Sequence, residues 1–144
     1  MKKNKMPIII AIIVVIFALF IVLIKVNNSN DIEGKTVAEW AEDVKKEKVV
    51  TVIGLTTCTH CQEYKPQIIS LAKRRGFNLY FFEVDTLSEE DQKTLTTTYD
   101  LADYTDRVPF TFIIDKGEYV TGRTGFSNIN DMTEYLQEYN VIKN

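Results

Sequence analysis

The sequence predicts one α/β domain, built on a central mixed β-sheet flanked by helices and preceded by a single transmembrane helix. β-Branched apolar runs alternate with amphipathic helical segments, a pattern typical of a sheet with a parallel half. A strand hairpin near the C-terminus adds an antiparallel half. An uncharged run at the N-terminus precedes all of these elements. With 144 residues, the chain has room for one such domain and a short appendage.

The run from Pro7 to Ile24 contains no charged or polar side chain. As a helix it would be roughly 27 Å long, close to the ~30 Å hydrocarbon core of a bilayer. A cleaved signal peptide is the alternative, with an apolar region of usually about 7–15 residues that ends at a small-residue cleavage site. The segment Lys25–Asn28 offers no such site, so the sequence favours a retained anchor.

The distribution of charge predicts how the chain is oriented in the membrane and excludes one class of partner. Three lysines stand among the first five residues, where they favour the cytoplasmic side of a membrane. From residue 25 onward the chain carries 20 acidic and 14 basic side chains, a net charge of −6, so we exclude nucleic acid as a partner. The predicted organisation is a cytoplasmic N-terminus at 1–6, a transmembrane helix at 7–24, a linker at 25–35 and an extracytoplasmic domain at 36–144 on the outer face of the cell membrane.

Periodicity and turn signals assign the elements of this domain in order. Thr36, followed three residues later by Glu39, predicts a capping box at the start of the first helix. Gly76 suits the end of the second helix. Strands are predicted at 49–55, 77–84, 110–114 and 118–121, and helices after Thr36, over 58–75, from Ser88 to about Tyr99 and after Asn128.

The only two cysteines stand in the motif Cys58-Thr59-His60-Cys61, directly after a buried strand and at the start of a helix. Residues i and i+3 share a helix face, so the two sulfurs can approach bonding distance. Unpaired N–H groups and the helix macrodipole favour a negative charge on Cys58, and the thiolate is the attacking species in disulfide exchange. We therefore expect Cys58 to attack a substrate sulfur and the deeper Cys61 to resolve the mixed disulfide.

Three other interpretations of the cysteine pair stay open. The pair could supply half of a zinc site, although zinc requires four ligands and the chain has 1 histidine. It could form a structural disulfide, although so short a loop constrains the unfolded chain little. The cysteines could also be two ordinary buried thiols. None of these interpretations explains the strand–helix junction as directly as redox exchange does.

The motif resembles the active-site helix of the thioredoxin superfamily, in which a strand precedes the two cysteines and a proline follows within the helix, here Pro66. Val108-Pro109 before a strand, the hairpin at Gly117 and Gly125 before the last helix match the same family. The resemblance covers about residues 36–142, nearly all of the predicted outward domain.

This resemblance implies a thioredoxin-like fold and thiol–disulfide exchange with protein or peptide substrates. It implies no cofactor beyond the redox-active Cys58–Cys61 disulfide. It also implies that the Val108–Pro109 bond is cis and lies beside the cysteines. The backbone of Val108 would then bind an extended substrate segment as an added strand.

Two positions depart from the reducing members of that family. Those proteins carry a buried acid on the strand six residues before the first cysteine, as a proton acceptor for the resolving cysteine, where this chain has Val52. They carry an aromatic residue just before the first cysteine, where this chain has Thr57. Glu63, within a turn of Cys61, could replace the missing acid or could be a solvated helix residue.

His60, the only histidine, lies between the two cysteines. One interpretation is a surface spacer. The other is a catalytic group that stabilises the Cys58 thiolate by charge or hydrogen bonding. The resemblance to oxidising, periplasmic members of the superfamily, whose active site reads Cys-Pro-His-Cys, favours the second interpretation.

Two functions fit the sequence. The first is an anchored oxidoreductase that exchanges disulfides with secreted or surface proteins, with oxidation favoured over reduction. The second is a mainly binding role in a peptide export system, because small anchored proteins of this shape resemble the bacteriocin transport accessory proteins of Gram-positive bacteria. The expected partners are thiol or disulfide substrates, the membrane, and either a membrane redox partner or a peptide exporter. We assign catalysis to Cys58, Cys61 and His60, substrate binding to Val108 and Pro109, and no metal.

Overall fold

The structure is a computed structural model that describes residues 6–28, 32, 34–99, 101 and 107–143. The chain divides into two compact units, Met1–Asp31 and Ile32–Asn144. The elements in chain order are α1 (Met6–Asn28), α2 (Val37–Asp43), β1 (Lys48–Gly54), α3 (Thr59–Arg75), β2 (Asn78–Glu83), α4 (Glu89–Thr97), β3 (Phe110–Asp115), β4 (Glu118–Thr124) and α5 (Ile129–Glu138).

Helix α1 belongs to the first unit and extends to Asn28, into the predicted linker. Its side chains are described over 9–21, where the large apolar ones are 47–64% exposed. No helix within the described residues has both the length and the hydropathy of a membrane span. The transmembrane helix at 7–24 therefore stays a prediction from the sequence, and the lysines before it lie outside the described residues.

The described part of the second unit is built on a four-stranded mixed sheet in the order β2-β1-β3-β4. Strand β1 is parallel to β2 and antiparallel to β3, which is antiparallel to β4, so the predicted mixed sheet is confirmed. The register pairs Gly54 with Glu83 and Ile53 with Phe110. The C-terminal end of β1 leads to the cysteines, and the N-terminal end of β3 follows Pro109. These two strand ends therefore lie at the same end of the sheet.

Strand β1 is buried on both faces, which explains its unbroken apolar sequence. Val50 and Val52 belong to a core cluster that also contains apolar side chains of α3 and α5. Val49 and Ile53 belong to a second cluster that contains apolar side chains of α2 and α4. The sheet is thus the middle of three layers, with α3 and α5 on one face and α2 and α4 on the other.

Local signals define the helix ends as the sequence predicts. Thr36 and Glu39 form the capping box of α2. Ser88 and Asn128 cap α4 and α5 through side-chain oxygens that accept backbone N–H groups. Gly76 ends α3 in the left-handed region, with φ of 72°, where a side chain would be strained.

Candidate active site

Helix α3 begins immediately after Cys58, which is its N-cap residue. The backbone of Cys58 is extended, with φ of −85° and ψ of 110°, and its Sγ accepts a hydrogen bond from the Cys61 N–H at 3.1 Å. The two sulfurs form a disulfide, with the Cα atoms 5.2 Å apart. When the pair is reduced, the same N–H and the helix dipole favour the thiolate of Cys58 over its thiol.

The two sulfurs have different surroundings. Cys58 is partly exposed, whereas Cys61 is 0% exposed, as expected for an attacking and a resolving cysteine. A Cβ placed on Gly54 would lie 3.3 Å from the Cys61 Sγ and 3.3 Å from the ring of Phe81. The glycine therefore lets the end of β1 approach the buried sulfur closely. A substrate sulfur from solvent reaches Cys58 and not Cys61.

The Val108–Pro109 peptide bond is cis, which confirms the expectation from the resemblance. The carbonyl oxygen of Val108 lies 3.9 Å from the Cys58 Sγ. The carbonyl oxygen of Pro109 accepts a hydrogen bond from the Gly125 N–H at 2.7 Å, which holds this segment against the residues after β4. The structure thus brings together Cys58, Cys61, Val108 and Pro109 from distant parts of the sequence.

His60 lies on the outer side of this site. Its ring is 72% exposed, and its Nδ1 lies 3.7 Å from Oε2 of Glu63, whose side chain is 61% exposed. Within the described residues the ring contacts this carboxylate and not the Cys58 sulfur. Any effect of His60 on Cys58 is therefore a through-space charge effect, screened by solvent. Glu63 is a solvated helix residue, so the alternative in which it replaces a buried acid is wrong.

The loop before the cysteines is held by contacts that sequence reasoning missed. The carboxylate of Asp85 accepts hydrogen bonds from the Thr56 N–H, at 3.0 Å, and from the Thr56 hydroxyl. The side-chain amide of Gln62 donates to the Thr56 carbonyl at 3.3 Å and to Glu83 at 3.1 Å. Each of these contacts except the one between Gln62 and Thr56 joins residues more than twenty positions apart, so no local motif signals it.

Two neutral hydroxyls meet on the sheet face beneath α3. Val52 is 0% exposed and is paired in register with Thr111. The Oγ1 of Thr111 shares a hydrogen bond of 3.1 Å with the hydroxyl of Tyr64 on α3. Burial raises the pKa of Tyr64 far above its usual value, against a smaller opposing effect of the Thr111 hydrogen bond. Tyr64 therefore stays protonated at neutral pH.

Comparison with known proteins identifies the fold. No protein-family model and no curated protein matches the sequence, but solved structures do. A thioredoxin point mutant from Halobacterium salinarum superposes with a TM-score of 0.57 over 78% of this chain and 91% of its own, at 18% identity. Thioredoxin f2 of Chlamydomonas reinhardtii gives 0.59 over 76% and 96%, at 14% identity. The thioredoxin of Aeropyrum pernix gives 0.59 over 73% and 84%, at 16% identity.

The chain has the thioredoxin fold. At these identities the likeness establishes the fold alone, and the chemistry must be argued from the site. In this thioredoxin-fold domain the CxxC pair is the disulfide at the start of α3, beside the cis proline. Within the described residues, no three or more histidine, cysteine, aspartate or glutamate side chains are grouped to hold a metal ion. The zinc interpretation of the cysteines therefore lacks its other ligands there.

Asp85→Asn is expected to destabilise the domain at neutral pH but not in acid. The hydroxyl and backbone N–H of Thr56 hold the pKa of Asp85 below its usual range. This carboxylate therefore contributes stability above its unfolded-state pKa of about 3.9, and the contribution is lost as the pH falls through the lower folded-state pKa. Urea unfolding of both proteins at neutral pH and at pH about 2 measures the difference. A deficit of equal size at both pH values contradicts the prediction.

Proposed function

We propose that this chain is a membrane-anchored oxidoreductase that exchanges disulfides with secreted or surface proteins through Cys58 and Cys61. The observation that carries the proposal is the disulfide at the N-terminus of α3, beside the cis Val108–Pro109 bond. A purely structural disulfide has no need of an accessible sulfur whose reduced form is stabilised by a helix N-terminus. Exchange requires both properties.

The chemistry uses the partly exposed sulfur first. A substrate thiolate attacks the Cys58 sulfur, the bond to Cys61 breaks, and Cys61 leaves as a thiolate that takes up a proton. A second substrate thiolate then attacks the substrate sulfur of the mixed disulfide and releases the Cys58 thiolate. The substrate loses two electrons and gains a disulfide, while the protein gains two electrons. The Val108 carbonyl lies 3.9 Å from the Cys58 sulfur, which supports its proposed role of binding the substrate backbone during both steps.

The anchor is supported by the uncharged run from Pro7 to Ile24 and by the lysines before it. Helix α1 extends over this run, and its described large apolar side chains are 47–64% exposed. A helix that exposes apolar side chains all round is unfavourable in water and favourable in lipid. The lysines would then lie in the cytoplasm and the thioredoxin-fold domain outside the cell.

Oxidation is the proposed direction of exchange. Disulfides persist outside the cell because no glutathione pool keeps thiols reduced there. Within the protein, every group that stabilises the Cys58 thiolate stabilises the reduced state and makes the disulfide a stronger oxidant. The α3 N-terminus contributes this effect, as helix N-termini do generally, and His60 adds a smaller one. We therefore propose a reduction potential between about −270 mV, that of thioredoxin, and about −120 mV, that of the strong oxidant DsbA.

Cys61→Ser is expected to trap mixed disulfides between Cys58 and client proteins, because the resolving thiol is absent. Cys58→Ser is the matched control and should trap few or none. Non-reducing gels of thiol-blocked cells, followed by mass spectrometry, measure the adducts. Equal trapping by both variants would show that the nucleophile is misassigned. Full biological activity of Cys58→Ser would instead favour a binding role in a peptide export system.

A membrane-impermeant thiol reagent is expected to label Cys58 in intact cells after mild reduction, because the proposed domain lies outside the membrane. The reagent is applied before and after lysis, and a cytoplasmic protein thiol serves as the control for leakage. Labelling that requires lysis would place the domain inside the cell. That result would contradict the proposed orientation but not the redox chemistry.

Opposite shifts in reduction potential are expected from His60→Ala and Glu63→Gln. The first removes an imidazole, which carries positive charge only when protonated, and should lower the potential under those conditions, whereas the second removes negative charge and should raise it. Exposed charges near a helix end contribute about 0.3–1 kcal/mol, which corresponds to roughly 5–20 mV for two electrons. Equilibration against glutathione measures both shifts. A potential of the unmodified chain at or below about −270 mV would favour an anchored reductase over an oxidase.

A further inference from the structure

Cys61 lies in apolar surroundings. Its side chain is 0% exposed, and a Cβ on Gly54 would lie 3.2 Å from its Cβ and 3.3 Å from its Sγ. The ring of Phe81 lies 3.3 Å from the same Cβ position. Val52 points to the same face of the sheet, two residues earlier on β1, and is also 0% exposed. Such burial raises the pKa of a thiol, because the thiolate loses its hydration.

Glu63 and Glu83, on the elements next to Cys61, have other partners. On α3 itself, Glu63 lies 3.7 Å from His60, with both side chains in solvent. Lys65 of α3 forms an ion pair of 3.1 Å with Glu83 at the end of β2. Among the described residues, Glu63 thus lies in solvent and Glu83 beside Lys65, so neither carboxylate is in place to accept the proton of the buried Cys61 thiol.

Two buried phenols also lie on this face of the sheet. Tyr64 of α3 shares its hydroxyl with Thr111 of β3 and stays protonated because burial raises its pKa. Helix α5 contributes Met132, Tyr135 and Leu136 to the same core, and burial raises the pKa of Tyr135 to about 12. Neither phenol can act as a base at neutral pH, so the Cys61 thiol must lose its proton to solvent before it attacks.

We propose that Cys61 is a slow resolving cysteine, so that a substrate stays attached to Cys58 until its own second thiol attacks. This inference rests on the proposed function. Each mixed disulfide can react in two ways. If the Cys61 thiolate attacks the Cys58 sulfur, the internal disulfide forms again and the substrate leaves as an unchanged thiolate. If the second substrate thiolate attacks first, the substrate leaves oxidised by two electrons and Cys58 leaves as a thiolate.

The buried environment favours the second outcome. Only the thiolate of Cys61 attacks, and its population at neutral pH falls about tenfold for each unit by which burial raises the thiol pKa. The second substrate thiol lies in solvent and keeps its ordinary reactivity. The same burial makes Cys61 a slower leaving group when the mixed disulfide first forms. The apolar site therefore slows both the formation of the mixed disulfide and its resolution by Cys61, but it does not slow the attack of the second substrate thiolate.

The test follows the reverse reaction, in which resolution by Cys61 can be observed directly. The full-length chain is reduced, mixed with excess oxidised glutathione, quenched in acid at intervals and analysed by mass spectrometry. At pH about 7 a glutathione adduct on Cys58 should accumulate and then convert to the internal disulfide. The conversion rate should rise about tenfold per pH unit up to a thiol pKa above the ordinary value of about 8.5.

Val52→Asp supplies the missing base on the face of β1 that Cys61 contacts. It should speed the conversion at pH about 7 on the order of tenfold, below the roughly 10²–10⁴-fold of an optimally placed base, and weaken the pH dependence. Val52→Asn is the matched control, similar in size and polarity but unable to take up the proton, and should convert like the unmodified chain. Circular dichroism establishes that each variant is folded, and if Val52→Asp is not, the pH profile of the unmodified chain decides.

The outcomes separate this inference from the proposed function. Rapid formation of the internal disulfide without an adduct, or an adduct whose conversion is independent of pH, overturns the slow resolution and leaves the oxidoreductase standing. Unchanged conversion in a folded Val52→Asp variant, or equal acceleration by Val52→Asp and Val52→Asn, overturns the role of the missing base. A reduced chain that yields neither adduct nor internal disulfide overturns both proposals.

Discussion

The position of the disulfide depends on the burial of β1 in the centre of the sheet. Both core clusters are built against this strand, so its register with β2 and β3 cannot shift without moving apolar side chains out of both. That register places Gly54 opposite Glu83 and Ile53 opposite Phe110. The start of α3 follows the end of β1 by a few residues, and the cis Pro109 directly precedes β3. Because these two strand ends are paired, the two segments meet at the same end of the sheet.

The helix start and the sheet act on the two sulfurs in opposite ways. Cys58, as the N-cap of α3, meets backbone N–H groups and solvent, both of which stabilise negative charge. Cys61, three residues later, is buried against Gly54 at the end of β1, away from the solvent that stabilises a charge on Cys58. One helical turn is therefore enough to give two chemically identical side chains different roles. The spacing of the motif determines this division as much as the identity of the residues does.

Much of the fold could be predicted from the sequence because its signals are local. The unbroken apolar run of β1, the capping box at Thr36 and the cysteines at a helix start each report a neighbourhood of a few residues. Strand β4 was predicted too short, ending at 121, whereas it extends to Thr124. Gly122 interrupts its strand pattern, but the glycine is required there, because a Cβ would collide with the side chains of Tyr119 and Phe110.

The contacts that could not be predicted from local pattern are those between distant segments. Asp85 and Thr56 are 29 positions apart, and Tyr64 and Thr111 are 47 apart. Only the completed sheet brings such pairs together. The cis Val108–Pro109 bond was predicted from the resemblance alone, since only about 5–6% of X–Pro bonds in folded proteins are cis. The exposure of His60 and Glu63 likewise depends on how α3 packs, which the helical pattern leaves open.

Because the two cysteines lie in different environments, different groups determine the reduction potential and the rate of resolution. Below the pKa of the Cys61 thiol, the reduced protein contains Cys58 as a thiolate and Cys61 as a neutral thiol. Groups near Cys58 therefore change the free energy of the reduced state and with it the reduction potential. The apolar contacts of Cys61 destabilise only its thiolate, which is a minor species in both end states, so they change the rate of resolution with little effect on the potential. Substitutions on the outer side of α3 and on the face of β1 beneath it thus act on different quantities, although the two sulfurs they affect form one bond.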